Sequence, residues 1–441
     1  MGLGLCLMTV DVVSAVLVLV SILVTLQAGH ALYLTLYSWD RPISEASAPD
    51  EFSEPGLSFT VMLPARHEES VIQTTMSRVA GANYPAHLIQ VLVICAADDV
   101  GTINEAEAKI EELRKGGRHN VSLVVFRDGP VTKPHGLNCG LPHANHDVVT
   151  IFDAEDDPHP DIFNVVNTIM QNEKVNVVQA GVQLMNYDST WYSPLNVLEY
   201  FFWFKSRLHY HARLGAIPLG GNTVFFERNL ISSIGGWDEQ NLTEDADIGL
   251  RLSAAGERIR VVYDDRYVTK EETPPTLAQF IRQRTRWSQG FLQTLHKGVW
   301  RELPTRRQRW LALYTLAFPQ AQALLAIYIP FSLVTMLAIK TPEQVALISC
   351  LPVAMLLAHF LTAVIGLYEF TGAHGLKASP SAVLRMAVAW FPYQVVLSYA
   401  ALRAVRRQAR GVSNWEKTQH VGAHRALARE PIVGQANDRA A

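Results

Sequence analysis

Cysteine is scarce: Cys6, Cys95, Cys139 and Cys350 form no Cys-x-x-Cys pair and keep no metal-site spacing with histidine. That points to reduced thiols and against structural zinc. Charge is scarce too. Only 18% of residues are charged and the formal net charge is −3, so the chain lacks the basic field that would gather nucleic acid. The leader MGLGLCLMTVD carries no basic residue, and the apolar run behind it is longer than a signal-peptide core, so an uncleaved membrane helix is expected. Position 6 is cysteine rather than Ser or Thr, which argues against N-myristoylation.

What the chain has in quantity is apolar surface, 49% of 441 residues, more than a soluble protein of ordinary domain size carries. Residues 12–37 hold no charged side chain and as a helix reach about 39 Å, enough to cross a bilayer of about 30 Å. Residues 39–56, rich in Pro, Ser and acids, read as a linker, and residues 57–305 as a globular domain. Residues 306–405 contain three further apolar runs, at 310–339, 345–368 and 382–404. The third is interrupted by Arg385 and Pro392. Residues 406–441 form a basic tail, whose start is marked by Arg403, Arg406, Arg407 and Arg410. One crossing before the domain and three after it would put that tail opposite the domain, against the positive-inside tendency. The last run is therefore expected to lie in the interface, or another run to be re-entrant.

In the globular region, short β-branched runs at 57–65, 89–96, 121–126, 147–154 and 175–184 alternate with helical stretches such as 68–80 and 103–115. Continuous apolar strands separated by helices predict a parallel sheet covered on both faces, with ligands at the carboxyl ends of its strands. Acids stand at those ends. Asp98 and Asp99 follow the second run, and Asp153, Glu155, Asp156 and Asp157 the fourth. Carboxylates of this kind suit Mg²⁺ or Mn²⁺ bridged to phosphates, although acidic loops are commonly just solvated surface.

Three later stretches carry chemistry or its bland equivalent. In "LTEDADIGLRLSAAGE", Thr243 is placed to cap a helix whose first turn holds Glu244, Asp245 and Asp247. That is favourable for the macrodipole alone, and equally the setting of a catalytic carboxylate. "FIRQRTRWSQGF" places Arg282, Arg284 and Arg286 around Gln283 and before Trp287. The segment suits lipid headgroups, or a diphosphate gripped by guanidinium forks beside an indole face for a sugar. Residues 197–215 are aromatic and then basic, which predicts an interfacial helix. Within it His209 and His211, two apart, read as surface residues rather than metal ligands.

Taken in order, these motifs resemble the membrane-embedded family 2 glycosyltransferases, the cellulose, chitin and hyaluronan synthase group and its bacterial relatives, over roughly residues 57–300. Thr243-Glu244-Asp245 matches that family's TED, and Gln283, Arg286 and Trp287 its QxxRW. "DAED" at 153–156 resembles its metal-binding DxD, "KPHGLNCGL" at 133–141 its Lys-led segment, "LGGNTVFFER" at 219–228 its Gly-rich acceptor segment, and "NWEKTQH" at 414–420 a tail of bacterial members. Two departures stand out. "PARHEES" has Arg66 and His67 ahead of Glu68, and Cys95, Ala96 and Ala97 intervene before Asp98 and Asp99.

The resemblance implies a cytosolic α/β GT-A domain, Rossmann-like with a mixed, mostly parallel sheet, attached to transmembrane helices of the inner membrane. It implies Mg²⁺ or Mn²⁺ at Asp153, Glu155 and Asp156, a nucleotide-diphosphate sugar such as a UDP-sugar, and Asp245 with Glu244 as the catalytic acids. Glu68, Asp98, Lys133, Gly221, Asn222, Gln283, Arg286 and Trp287 are the implied substrate-binding residues. QxxRW further implies processive growth and translocation of a polysaccharide; transfer to a lipid is the rival, and an inactive membrane scaffold or transport subunit the non-enzymatic one. With so few spans, a polysaccharide channel would need a homo-oligomer or a partner.

Overall fold

The computed structural model describes residues 2–39, 47–338, 341–416, 422, 424 and 425, with side chains from residue 12 onward. Lys417 to His420 of the "NWEKTQH" stretch, and most of the expected tail, lie outside the described residues. The chain opens with helix α1 (Gly2–Leu36). Then follow β1 (Phe59–Ala65), α2 (Ile72–Ala80), β2 (Ile89–Ala96), α3 (Val100–Lys115), β3 (Val121–Phe126), α4 (Lys133–Gly140), β4 (Val148–Ile151) and α5 (Ile162–Glu173). The run at 175–184 divides into β5 (Val177–Ala180) and β6 (Val182–Leu184). A long helical stretch follows as α6 (Ser193–Phe202), a π turn (Trp203–Arg207) and α7 (Leu208–Leu214). β7 (Val224–Glu227), α8 (Arg228–Ser233), α9 (Glu244–Ala254), β8 (Ile259–Val262), β9 (Thr269–Glu271) and α10 (Leu277–Lys297) complete the globular part. Helices α11 (Arg306–Ala338), α12 (Glu343–Ser349), α13 (Leu351–Ala373) and α14 (Pro380–Ala409) end the described chain.

Seven strands form one sheet in the order β3-β2-β1-β4-β7-β5-β8, and β6 pairs with β9 in a second, two-stranded sheet. All pairings are parallel except those of β7, which runs antiparallel to both β4 and β5. The expected mixed, mostly parallel sheet is therefore present. Alternation along β1 and β2 shows how it is buried. Phe59, Val61, Leu63, Val91, Val93 and Cys95 enter one core with α2, α3 and α5, whereas Met62, Leu92 and Ile94 enter the other. That second core continues without a break through Phe201 and Phe202 to Leu367, Phe370, Met386 and Tyr393 of the C-terminal helices. The globular part and the C-terminal helices thus share one hydrophobic interior.

Among the described residues, three helical stretches are long and apolar enough to cross a membrane: Val12–Leu36, Arg306–Ala338 and Glu343–Ala373. Ser21 Oγ meets Tyr328 Oη at 2.7 Å, and that hydroxyl donates to Leu17 O at 2.9 Å, tying α1 to α11. Helix α14 is tied to the globular part near each of its ends. Near its start Arg385 pairs with Asp188 of the globular part. Near its end Arg407 donates to Gln289 of α10 at 2.9 Å. Both ends of α14 therefore rest on the globular part.

The aromatic-basic stretch differs from expectation in one respect. His209 and His211 are buried, 5% and 1% exposed, rather than on the surface. The apolar residues around them face inward toward α1 and the sheet, and the imidazoles go with them. Burial pushes their pKa values down from 6.5, to about 3 for His209 and about 4 for His211. Both stay neutral in the fold and take up protons once unfolded, so their contribution is complete above pH 6.5 and is lost as pH falls toward 4. Stability should drop by about 1.4 kcal/mol per pH unit for each histidine across that window. Thermal unfolding midpoints between pH 7 and 5 in detergent will show the decline; a flat profile contradicts it.

Candidate active site

Because β1, β2 and β4 are parallel neighbours, the loops that leave them lie side by side, and the antiparallel β7 delivers Gly220–Asn222 to the same edge. A cavity of about 650 Å³ opens there. Asp153, Glu155, Lys133, Gly221, Asn222, Glu244, Asp245, Gln283, Arg286, Trp287 and Glu68 all line it.

The acidic loop forms its floor. Asp153, Asp156 and Glu271 each bring a carboxylate oxygen within 4.8 Å of the others. Asp156 is fully buried, its Oδ2 accepting from Asp153 N at 2.7 Å and Asn222 Nδ2 at 2.8 Å. Its Oδ1 is buried with no hydrogen-bond partner among the described residues. Burial, then the charges of Glu271, Asp153 and Glu155, raise the Asp156 pKa well above the usual carboxylate range. An all-oxygen donor set with surplus negative charge and an orphaned carboxylate oxygen fits a hard divalent cation. The membership of the cluster differs from the set read in the sequence. Glu155 lines the cavity but its carboxylate stands outside the cluster. Glu271 takes that place because the antiparallel bridge between Asp157 and Lys270, with both N–O distances 3.0 Å, lays β9 against the loop.

Lys133 stands between this cluster and the helix acids. Its Nζ bonds Asp153 and donates to Gly221 O at 2.9 Å. Burial opposes its charge, yet Asp153, Glu244 and Asp245 together raise its pKa. Across the cavity, the first turn of α9 carries three acids with two fates. Asp247 is fully buried and bound by Arg251 and Lys297, each at 2.8 Å, so it is a structural residue. Glu244 and Asp245 face the cavity. Burial and then the neighbouring Asp245 push Glu244 up to about 7, and burial likewise raises Asp245. Thr243 occupies the cap position, but its side chain makes no capping bond and turns to Asn241 instead.

Two glycines set the spacing. A Cβ on Gly221 would lie 3.3 Å from Asp245 Oδ2. A Cβ on Gly290 of α10 would lie 2.6 Å from Thr243 N, so the bare glycine is what allows α10 to lie against the start of α9. Gly290→Ala should therefore cost about 1–3 kcal/mol through overpacking, and lower turnover by moving both motifs. Unfolding midpoint and kcat measured together test this; an unchanged midpoint contradicts the contact.

Helix α10 supplies the opposite wall. Gln283 is 9% exposed and its Oε1 has no donor among the described residues. Arg284 is committed to Glu199 and Asn196 and lies between Phe280 and Trp287. Arg286 faces the cavity beneath the Trp415 ring, 4.5 Å from its centroid. Trp415 is held by its neighbours, since Glu416 pairs with Arg403 and Arg407 and Gln289 donates to Val412 O at 2.6 Å. Tyr200 of α6 packs at 6.1 Å from Trp287. Asp98 does not join this group. It pairs with Arg66, which holds its pKa down, and is absent from the cavity wall that Arg66 and Glu68 form. Sequence reasoning missed Glu271, Tyr200 and the packing role of Trp415. The last had a signal in the "NWEKTQH" stretch; Glu271 and Tyr200 had none beyond a short acidic run and an aromatic one.

Fold and site together define a sugar transferase. Residues 55–290 match the family model described as glycosyltransferase like family 2, more than half of the chain, so the chain belongs to that family. Among curated relatives it is similar to the poly-beta-1,6-N-acetyl-D-glucosamine synthase of Staphylococcus epidermidis, 26% identical over 288 residues, covering 64% of this chain and 65% of that protein. It is also similar to the beta-monoglucosyldiacylglycerol synthase of Nostoc sp. (strain PCC 7120), 28% identical over 239 residues, covering 53% of this chain and 49% of that one. The match thus spans about half to two thirds of these relatives. Among solved structures, the mannosyltransferase PcManGT from Pyrobaculum calidifontis, a complex with GDP-Man and Mn²⁺, shares the fold: TM-score 0.57, 19% identity, 89% of this chain and 99% of that chain.

Proposed function

We propose that the protein is an inverting, metal-dependent transferase that moves a sugar from a nucleotide-diphosphate sugar, a UDP-sugar in the first instance, to an acceptor hydroxyl arriving from the membrane side of the cavity. One observation carries this reading: a single cavity joins Asp153 and Asp245 to faces of α1, α11 and α13. Asp153, Asp156 and Glu271 would hold Mg²⁺ or Mn²⁺, which when bound makes the diphosphate a better leaving group. Lys133 adds positive charge beside the same phosphates, and Gln283 and Arg286 steady the departing diphosphate. Glu68 and the adjoining loop take the nucleoside end. Asp245 accepts the proton of the acceptor hydroxyl while that oxygen bonds to the anomeric carbon. Trp287 offers the face on which the acceptor sugar lies. One displacement with one base inverts the anomeric centre.

Nucleotide sugars are cytosolic, so the reading places the domain on the cytosolic side of the inner membrane, with α1, α11 and α13 crossing it. The two relatives serve a polysaccharide and a lipid, and processive growth of a polysaccharide remains the reading that QxxRW supports. Purified protein given a panel of radiolabelled nucleotide sugars should consume at least one in the presence of Mn²⁺ or Mg²⁺ and stop on EDTA. Turnover without added partners removes the scaffold reading; absence of turnover with every donor and metal would remove the enzymatic one.

A further inference from the structure

Part of the basic tail lies against the acidic loop. Arg425 is set by a turn in which its N–H donates to Gly422 O at 3.0 Å. Its Nη1 donates to Val71 O at 3.1 Å, at the start of α2. Its Nη2 reaches Thr75 Oγ1 at 2.6 Å, Glu155 O at 3.0 Å and Asp156 O at 3.2 Å. One guanidinium therefore ties the loop that carries Asp153 and Asp156 to α2, whose Ile72, Met76 and Val79 are fixed in the core. The same turn holds the third acid's neighbour. Gly422 N donates to Glu272 Oε1 at 3.0 Å, and the buried His424 sets its Nδ1 3.8 Å from Glu272 Oε2. Glu272 directly follows Glu271, so this short turn spans both segments that supply the cluster of Asp153, Asp156 and Glu271.

Thr75 alone does not hold that loop. Its hydroxyl has one proton and faces two carbonyls, Ala154 O at 2.5 Å and Asp156 O at 3.3 Å. A guanidinium offers five donors in one plane, which suits carbonyls converging from separate segments. Carboxylates bind a hard cation tightly when the groups behind them hold their oxygens in place before the ion arrives. Arg425 stands in that supporting position. Glu155 and Asp156 present backbone carbonyls to it, while Asp153 and Glu155 line the cavity, whose wall includes none of Val71, Thr75, Gly422, His424 and Arg425.

We propose that the turn from Gly422 to Arg425 is a clip that holds Asp153, Asp156 and Glu271 in register for a divalent cation, with Arg425 as its positioning residue. The inference rests on the metal-dependent reading above and adds the C-terminal tail to it. Its sign separates position from charge. Burial lowers the Arg425 pKa, and the charges of Asp157, Asp156 and Glu155 oppose that fall. A cation so close to the acids repels a divalent ion, so loss of the charge alone would tighten metal binding. Loss of the clip weakens it. Linkage also runs both ways, because a docked tail that favours the ion is itself favoured by the ion. The tail serves the opposite wall as well, where Trp415 covers Arg286.

The test titrates full-length protein in detergent with Mn²⁺ alone and reads the free ion by electron paramagnetic resonance, which gives a Kd without turnover. R425Q is expected to raise that Kd at least about tenfold, the range for residues that orient metal ligands. R425K keeps the charge but not the planar fork, and should recover only part of the loss. A residue that merely stabilised the fold would lower the unfolding midpoint and leave the Kd of the folded protein unchanged. Hydrogen exchange on the wild type needs no variant to fold. Adding Mn²⁺ should slow exchange in the peptide spanning residues 422–425 at least about threefold and leave residues 100–115 of α3 unchanged. A smaller rise in Kd for R425Q, a tighter Kd, or exchange at 422–425 that ignores Mn²⁺ overturns the inference. Wild-type protein that binds no Mn²⁺ overturns the metal-dependent reading along with it, and that failure shows before any variant is made.

Discussion

Asp245→Asn is expected to keep the fold and nucleotide-sugar binding and to lose transfer by about 10²- to 10⁴-fold, the range of a general base. The amide can still accept from Ala246 N, as Asp245 Oδ1 does at 2.8 Å, so the start of α9 stays formed. What disappears is the proton acceptor. The same residue shapes the pH profile. Asp245 is raised by burial and Glu244 is pushed up to about 7, so a base that works ionised loses activity as pH falls through a value above the ordinary aspartate range. The acid limb of kcat/KM should therefore lie above pH 4 and vanish with the residual rate of Asp245→Asn. Near-normal turnover in the variant removes Asp245 from the mechanism.

Glu271→Gln is expected to raise the Mn²⁺ concentration for half-maximal activity by at least about tenfold, as removal of a metal carboxylate does. The amide carbonyl can still accept from Asn222, which bonds Glu271 now, so the effect isolates the charge. Glu155→Gln supplies the comparison that decides between sequence and structure. Its carboxylate lies outside the cluster of Asp153, Asp156 and Glu271, so its metal requirement should move by less than about threefold. A larger shift in Glu155→Gln than in Glu271→Gln would restore the assignment read from "DAED".

The contrast shows what the chain's own letters could convey. Signals that are local were legible: the apolar runs that became β1 to β4, the acids in the first turn of α9, and QxxRW on one face of α10. Glu271 was not, because its place depends on β9 crossing to the loop at Asp157, a pairing across more than a hundred residues that no periodicity announces. His209 and His211 were misread for a related reason. Which face of an aromatic helix turns inward is settled by α1 and the sheet, not by the helix itself. Asp98 shows a third case. Its position after β2 was visible, but its neutralisation by Arg66 is a tertiary fact.

Helix α14 is pinned to the catalytic domain at Asp188 on one side and Gln289 on the other, while its flank packs along α11. It works as a bracket. Helix α10, which carries Gln283, Arg286 and Trp287, is thereby held at a fixed spacing from α11 by protein against protein.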